Sequence, residues 1–468
     1  MAGFEDAECR ETECDIAIIG GGAGGLVAAL RGAEAGAQVV VFERDAIPRG
    51  STSLSAGLIP AAGTRFQLED GIDDSPDNFA ADILAKSGNE AHPEQVRTLT
   101  KAIGPAVEWL ADKHGLPFSV VDNFTYPGHS ALRMHGLPTR SGAELMDALR
   151  AAVERADVDI VTNARACAIE VGNSGLIRSV MIERPDGSRE RIGCRAAILA
   201  CNGYGGNKQL VGKFIPEIAN ALYFGHPGNQ GEAVLWGEAL GAELRHMSGY
   251  QGHGSVAHPH ATLITWATMM EGGFQVNMSG QRFSDESHGY SEQTVNVLRQ
   301  EGGIAWSVFD ERIAAIARQF EDFRNAEAHG AILRAATVAE LARSTGMPAA
   351  ALEATFASVQ HLKQSAAVDQ FGRSWAKAAD LTAPFCAVRV TGALFHTQGG
   401  LAVDETARVL RKSGAPFDNL YAVGGAACGV SGSKTSGYVS GNGLLSAVGF
   451  GFIAGKAAAS DLEKWSAT

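Results

Sequence analysis

Paired cysteines are missing from this chain of 468 residues: the seven it has are scattered, with no CxxC and no CxxCH. That spacing offers neither a metal site nor a covalent haem, and it suits a reduced compartment. Positive charge is also scarce. Lys and Arg number 39 against 52 Asp and Glu, a formal net charge of −13 with no basic tail. A nucleic-acid phosphate backbone is therefore excluded as a partner. No apolar stretch is expected to reach membrane-spanning length, and Met1 to Cys14 is polar and acidic, unlike a secretory leader. The expectation is a cytoplasmic protein without a membrane span. Repeats and low-complexity tracts are absent too. What the chain does have is length for two or three domains and 57 glycines, which suit close backbone contact with an extended cofactor.

The glycines are densest after the first apolar run. Ile16 to Ile19 predicts a strand, Gly20-Gly-Gly22-Ala23-Gly24-Gly25 a turn, Leu26 to Ala35 a helix closed by Gly36, and Gln38 to Phe42 a second strand. In this unit Gly20 allows the tight turn, Gly22 lets the backbone approach a pyrophosphate, and Gly25 lets the helix pack on the sheet. The helix N-terminus offers free N–H groups and a positive dipole end to phosphates. Glu43 at the second strand's end is placed to accept both ribose hydroxyls, with Arg44 beside it. The unit predicts dinucleotide binding, with Ala23 and Gly24 among the contacts.

Three further segments point to a flavin. Arg49 to Pro60 is small and hydroxyl-rich, and Gly50, Ser51, Thr52, Ser55 and Gly57 are suited to a ribityl chain and flavin edge. Ala197 to Asn207 is a strand running into a glycine turn, with Ala200, Asn202, Gly203 and Asn207 as contacts. Near the C-terminus, Asn419 to Ala426 carries Gly424 and Gly425, and Ser440 to Ala447 opens a helix through Gly441, Gly443, Leu444 and Leu445. Such a helix end can face the flavin edge where negative charge builds on reduction.

With Gly280-Gln-Arg-Phe-Ser-Asp-Glu286 and His396-Thr-Gln-Gly-Gly-Leu-Ala-Val-Asp404 added, nearly the whole chain resembles the FAD-dependent fumarate reductase/succinate dehydrogenase flavoprotein superfamily, and within it the 3-ketosteroid dehydrogenase branch. The resemblance implies an α/β fold: a Rossmann-like FAD-binding domain of the glutathione-reductase type with an inserted mobile α+β capping domain. It implies residues 1–247 and 398–468 for the FAD domain and 248–397 for the cap. Ala166, Gly399 and Gly400 join the implied FAD contacts. One departure is Gly425, where fumarate reductases usually carry a flavin-contacting Glu and ketosteroid dehydrogenases an Asn. No second GxGxxG is present, so no separate nicotinamide site is expected. No histidine lies between Gly50 and Pro60, so FAD is expected to be noncovalent. Inside the cap, 311–365 reads as helical: Ile313, Ile316, Ala317 and Phe320 recur at three- and four-residue steps, and Val338 to Leu341 and Leu352 to Val359 continue the pattern around a break at Gly346-Met-Pro348.

The resemblance also assigns chemistry. Fumarate reductases hold substrate carboxylates with two cap histidines and a threonine; His253, Thr265 and His396 match those positions. Their proton-donating arginine lies eight residues after the Arg of the Gly-x-Arg-Phe motif, which here gives Tyr290, and Trp266 and Met269 stand at the two relay positions. Ketosteroid dehydrogenases place a catalytic tyrosine at that first position and a second before the flavin helix, where Tyr438 stands. The expectation is α-proton abstraction by Tyr290, with Tyr438 and a backbone N–H near Gly441 or Asn442 holding the ketone oxygen. Tyr126 is assigned a proton relay by positional analogy. The fumarate reductase arginine beside the flavin aligns with Lys434, read either as a carboxylate partner or as a solvated loop charge.

The expected activity is thus an FAD-dependent dehydrogenase introducing a C=C bond beside the ketone of a small cyclic oxo compound, such as 4-oxocyclohexanecarboxylate. The alternatives are a 3-ketosteroid dehydrogenase or a fumarate-reductase-like reductase of an unsaturated carboxylate. Reoxidation would fall to oxygen, a quinone or an electron-transfer protein.

Overall fold

The computed structural model describes residues 12–122 and 124–465; most of the acidic N-terminal stretch lies outside the described residues. A first sheet runs in the order 408–410, 416–422, 189–199, 12–19, 39–42, 159–161, with an antiparallel hairpin, Arg165–Val171 and Ile177–Glu183, on the 189–199 strand. Four of the five pairings in that order are parallel, all but 408–410 with 416–422. Near-continuous apolar strands such as Ile16–Ile19 and Ala196–Leu199 are buried on both faces, as a helix-covered parallel sheet requires. The sheet draws strands from both ends of the chain, as the resemblance implies.

Register decides where the site forms. Ile19 pairs with Phe42 and with Leu199, and Leu199 pairs with Ala422. Gly20, Ala200 and Val423 therefore leave the sheet at one level, which opens a crevice outside the carboxyl ends of three parallel strands, the usual ligand position in such sheets. The predicted helix spans Ala23–Glu34 and the second strand Val39–Phe42.

A second, mostly antiparallel sheet runs Thr262–Leu263, Tyr250–Ala257, Phe385–Thr397, Ile304–Asp310, Phe274–Val276. One of its strands, Leu222–Tyr223, comes from before residue 248 and pairs with Ala393 and Leu394. The region expected to be helical around a break at Gly346-Met-Pro348 forms helices Glu311–Ala317, Glu321–Ala328, Val338–Thr345 and Ala349–Gln364, with that break between the last two, but a strand, Ile332–Ala335, interrupts them. That strand pairs with Phe385–Val388, a long-range partner that local periodicity does not register.

The expectation about apolar length needs correction. The helix Asn442–Asp461, mean hydropathy 1.3, is long and apolar enough to cross a membrane by length and composition. Half of that stretch is buried, packed on helices Ala23–Glu34 and Pro93–His114.

Candidate functional site

Two adjoining cavities share Ser51, Thr52, Asn202 and Ala447 as walls. The first follows the crevice and is lined by Gly20, Gly22, Ala23, Gly24, Glu43 and Arg44 from the N-terminal unit, by Gly50 and Ala166, and by Ala200, Gly424 and Gly425. Gly20 takes φ +108 in the tight turn. At Gly25 a Cβ would lie 2.0 Å from the Gly20 carbonyl oxygen, so only glycine lets the helix sit on the strand. At Gly22 the nearest atom to a Cβ would be the Thr52 hydroxyl at 3.9 Å; this backbone faces open space. The helix that follows has no cap from its own N-cap residue; the Ala23 amide donates to the Thr52 hydroxyl at 3.3 Å, and the next amides, of Gly24 and Gly25, remain for an anion. Glu43 is buried, its carboxylate accepting from the Gly21 and Asp45 amides at 2.8 and 2.9 Å, and stands ready at the cavity wall for hydroxyl donors. The Arg44 guanidinium donates to the Gly228 carbonyl at 2.7 Å. A helix N-terminus, a fixed acid and glycine walls fit an extended dinucleotide.

Several expected FAD contacts lie elsewhere. Asn207 caps the helix Lys208–Phe214 instead, accepting from the Gln209 and Leu210 amides. Gly57 turns with φ +64 against the Ser141 carbonyl, and Gly399 and Gly400 press on the 246–247 and 426–427 backbones. Gly203 is held against Thr397, and Leu445 is fully buried in the core. None of these lines either cavity. The departure at Gly425 has a physical cause: a Cβ there would stand 2.1 Å from the Asn202 Oδ1. Asn202 occupies the space a side chain at 425 would need.

The second cavity, about 180 Å³, lies between the two sheets. It brings together Tyr126, His253, Thr265, Tyr290, His396 and Tyr438, along with Ser55, Gly441, Gly443 and Leu444. Tyr290 opens the helix Tyr290–Leu298. Gly252 and Gly254 let that helix lie against the strand Tyr250–Ala257, because Cβ atoms there would come within 3 Å of Thr294 and Gln293. The Tyr290 ring stacks on His253, centroids 4.6 Å apart, and meets the Tyr438 ring at 6.0 Å. Gly443 leaves room for His396, whose Nε2 is 2.6 Å from where its Cβ would be; the His396 and Tyr438 rings are 5.8 Å apart.

Burial governs the charges. It pushes His253 down to about 3 and His396 down to about 4, so both imidazoles are neutral. His253 Nδ1 accepts from the Ser255 amide at 3.1 Å, which leaves the proton on Nε2. Burial pushes Tyr290 up to about 12, opposed by Ser440, Tyr438 and the Gly441 amide. Tyr438 is pushed higher, by burial and by Tyr290, against the Gly443 and Gly441 amides. Tyr126 is raised by burial and then by Tyr290, while its bond to Thr265 opposes the rise. No Lys or Arg lines this cavity among the described residues.

Two expected substrate contacts need correction. Lys434 is 71% exposed and paired with Glu90 at 2.7 Å; it is a solvated loop charge. The Asn442 amide, expected beside the ketone oxygen, donates instead to the Val439 carbonyl at 3.1 Å, and its buried side chain donates through Nδ2 to the Ser431 hydroxyl at 3.1 Å. Sequence reading missed the aromatic walls Phe224, Phe320 and Phe395, and one acid, Asp322. No local signal marks them, since they come from separate segments.

A family model described as "FAD binding domain" matches residues 15–444, and the chain belongs to that family. It is 28% identical over 448 residues to "probable fumarate reductase Ifc3" of Shewanella frigidimarina, covering 95% of this chain and 74% of the relative. Against 4-oxocyclohexanecarboxylate 2-dehydrogenase of Sinomonas cyclohexanicum the identity is 24%, with 96% of each chain covered. Among solved structures, the open conformation of a flavocytochrome c3 fumarate reductase matches with TM-score 0.79 and 27% identity, over 96% of this chain and 79% of the other. A 3-ketosteroid-Δ4-(5α)-dehydrogenase from Rhodococcus jostii RHA1 shares the fold, with TM-score 0.74 and 24% identity over 96% and 97%. The protein is an FAD-dependent oxidoreductase.

Proposed function

We propose that the enzyme introduces a C=C bond α,β to the ketone of a small ring compound. The observation that carries this reading is the tyrosine pair: two buried phenols whose hydroxyls weigh on each other's ionisation, in a cavity that adjoins the dinucleotide crevice. Bound FAD supplies the two-electron acceptor for the hydride that leaves the β carbon.

The chain's own residues then have defined tasks. Tyr438 donates its O–H to the ketone oxygen, with the Gly441 and Gly443 amides beside it, and so stabilises negative charge as the α proton departs. Tyr290 takes that proton. Ser440 and the Gly441 amide favour its phenolate once the Tyr438 O–H has turned to the ketone, and Tyr126 behind Thr265 offers an onward path. Leu54, Leu58, Leu263 and Phe395 give the ring apolar walls. Residues 1–247 with 398–468, and 248–397, serve as the FAD domain and cap in this scheme. A carboxylate on the ring would meet only neutral donors such as His396 and Thr265.

One observation favours the opposite direction. A tyrosine raised to about 12 is protonated at neutral pH and ready to act as an acid, which suits reduction of an enone or unsaturated acid. Anaerobic mixing of the FAD-loaded enzyme with a cyclic ketone decides: enone formation, lost in Tyr290→Phe, supports desaturation. Turnover only of an added enoate by the reduced enzyme supports the reverse.

A further inference from the structure

Asp322 is the one acid in the wall of the second cavity, among Phe320, Leu263 and Phe395. It sits in the first turn of the helix Glu321–Ala328. That helix packs on the strand Thr262–Leu263, which brings no charge. Phe320, just before it, meets Phe124, and Phe124 meets Tyr126, at centroid distances of 5.9 and 4.8 Å. Tyr126 is the titratable group on that side, and it stays neutral. Arg324 on the same helix donates to the Arg318 carbonyl, and Arg318 is paired with Glu311 and Glu327. Half-buried in this wall, the carboxyl is raised to about 7 by loss of solvent first and then by Glu321, of like sign, the one charged group that weighs on it. Among the described residues, no hydrogen bond or ion pair forms to its side chain.

A carboxyl group walled by hydrocarbon and without a partner is costly once a ligand displaces water. The ligand must bring a donor, or the carboxyl must stay protonated. An anion on the ligand would meet the carboxylate in a low-dielectric space with no neutralising cation in the cavity wall. Asp322 lies on the helix packed against Thr262–Leu263, whereas the tyrosine pair is seated by His253 and the 438–441 loop, so Asp322 reads a different part of the ligand from the ketone.

Resting on the ketone-desaturation reading, we infer that Asp322 is a specificity-determining residue: it selects ring ketones carrying a hydroxyl donor away from the ketone and turns away those carrying a carboxylate there. The physiological substrate class is then an uncharged hydroxylated cyclic ketone.

The test uses the FAD-loaded enzyme with 4-hydroxycyclohexanone, 4-oxocyclohexanecarboxylate and unsubstituted cyclohexanone. Binding is read from perturbation of the oxidised flavin spectrum, and turnover separately. At pH 8 the hydroxy ketone is expected to bind at least about tenfold more tightly than the carboxylate, the size of one charge-assisted hydrogen bond. Carboxylate binding is expected to weaken as pH rises from 6 to 9 while cyclohexanone binding stays level, a comparison that needs no variant. Asp322→Asn should remove that pH dependence and tighten the carboxylate, and Asp322→Leu should favour cyclohexanone over the hydroxy ketone. Equal binding of all three, or carboxylate binding that is flat with pH in the wild type, overturns the inference. Selective binding without any turnover would instead leave Asp322 its role and sink the desaturation reading.

Discussion

The imidazole of His253 lies flat against the phenol of Tyr290, ring centroids 4.6 Å apart and planes 19° apart. A neutral ring in that position fills the face of the tyrosine without supplying charge. Tyr290 must therefore draw its help from the groups at its oxygen: Ser440, the Gly441 amide and, until a ketone takes its proton, Tyr438. The stacked ring sets where the phenol points, and the 438–441 loop sets how readily it ionises.

Tyr290→Phe keeps the stack and removes the hydroxyl. The expected result is a loss of about 10²- to 10⁴-fold in kcat, the usual range for a general acid or base, with FAD content unchanged. The flavin spectrum of the purified variant checks the second half.

The pH profile follows from the direction of the shift. The active base is the phenolate, and its folded pKa of about 12 lies above the free value of about 10. The desaturation rate is thus expected to rise about tenfold per pH unit between 7 and 9, with no plateau. In the reductive direction Tyr290 is the acid and already protonated, so that rate should be level over the same range. A desaturation rate independent of pH would remove Tyr290 from the role.

Gly425→Asn is expected to weaken FAD binding at least tenfold, because a Cβ at 425 collides with the Asn202 Oδ1 at 2.1 Å. Asn202→Gly in the same chain should recover much of the loss. FAD titration of the apoprotein measures both.

Lys434→Ala removes an exposed ion pair with Glu90, a pair of the kind worth at most about 1 kcal/mol. KM for any ketone should stay within about twofold. A large rise would put Lys434 back at the substrate.

How much of this was legible in the chain differs by segment. The turn at Gly20 to Gly25 could be read because each glycine answers a local constraint, the φ of +108 at Gly20 being one. Tyr290, His253 and Tyr438 are far apart in sequence, and only resemblance brought them together. Lys434 read ambiguously because its direction depends on Glu90, a residue from another segment. Asn442 misled because an amide opening a helix looks available, yet it donates to the Val439 carbonyl in the turn before. Asp322 had no signature at all: an acid in the first turn of a helix is the ordinary answer to the helix dipole, and only the fold shows that it faces a cavity. The strand Ile332–Ala335 hid inside an alanine-rich stretch for the same reason, since its partner Phe385–Val388 is remote.

The most direct measurement is anaerobic titration of the FAD-loaded enzyme with 4-hydroxycyclohexanone, following the visible band of the oxidised flavin. The account predicts that the band bleaches as the enone forms, and that Tyr290→Phe binds the ketone without bleaching. A band that survives every ring ketone, while reduced enzyme is reoxidised by fumarate or a related enoate, would contradict it.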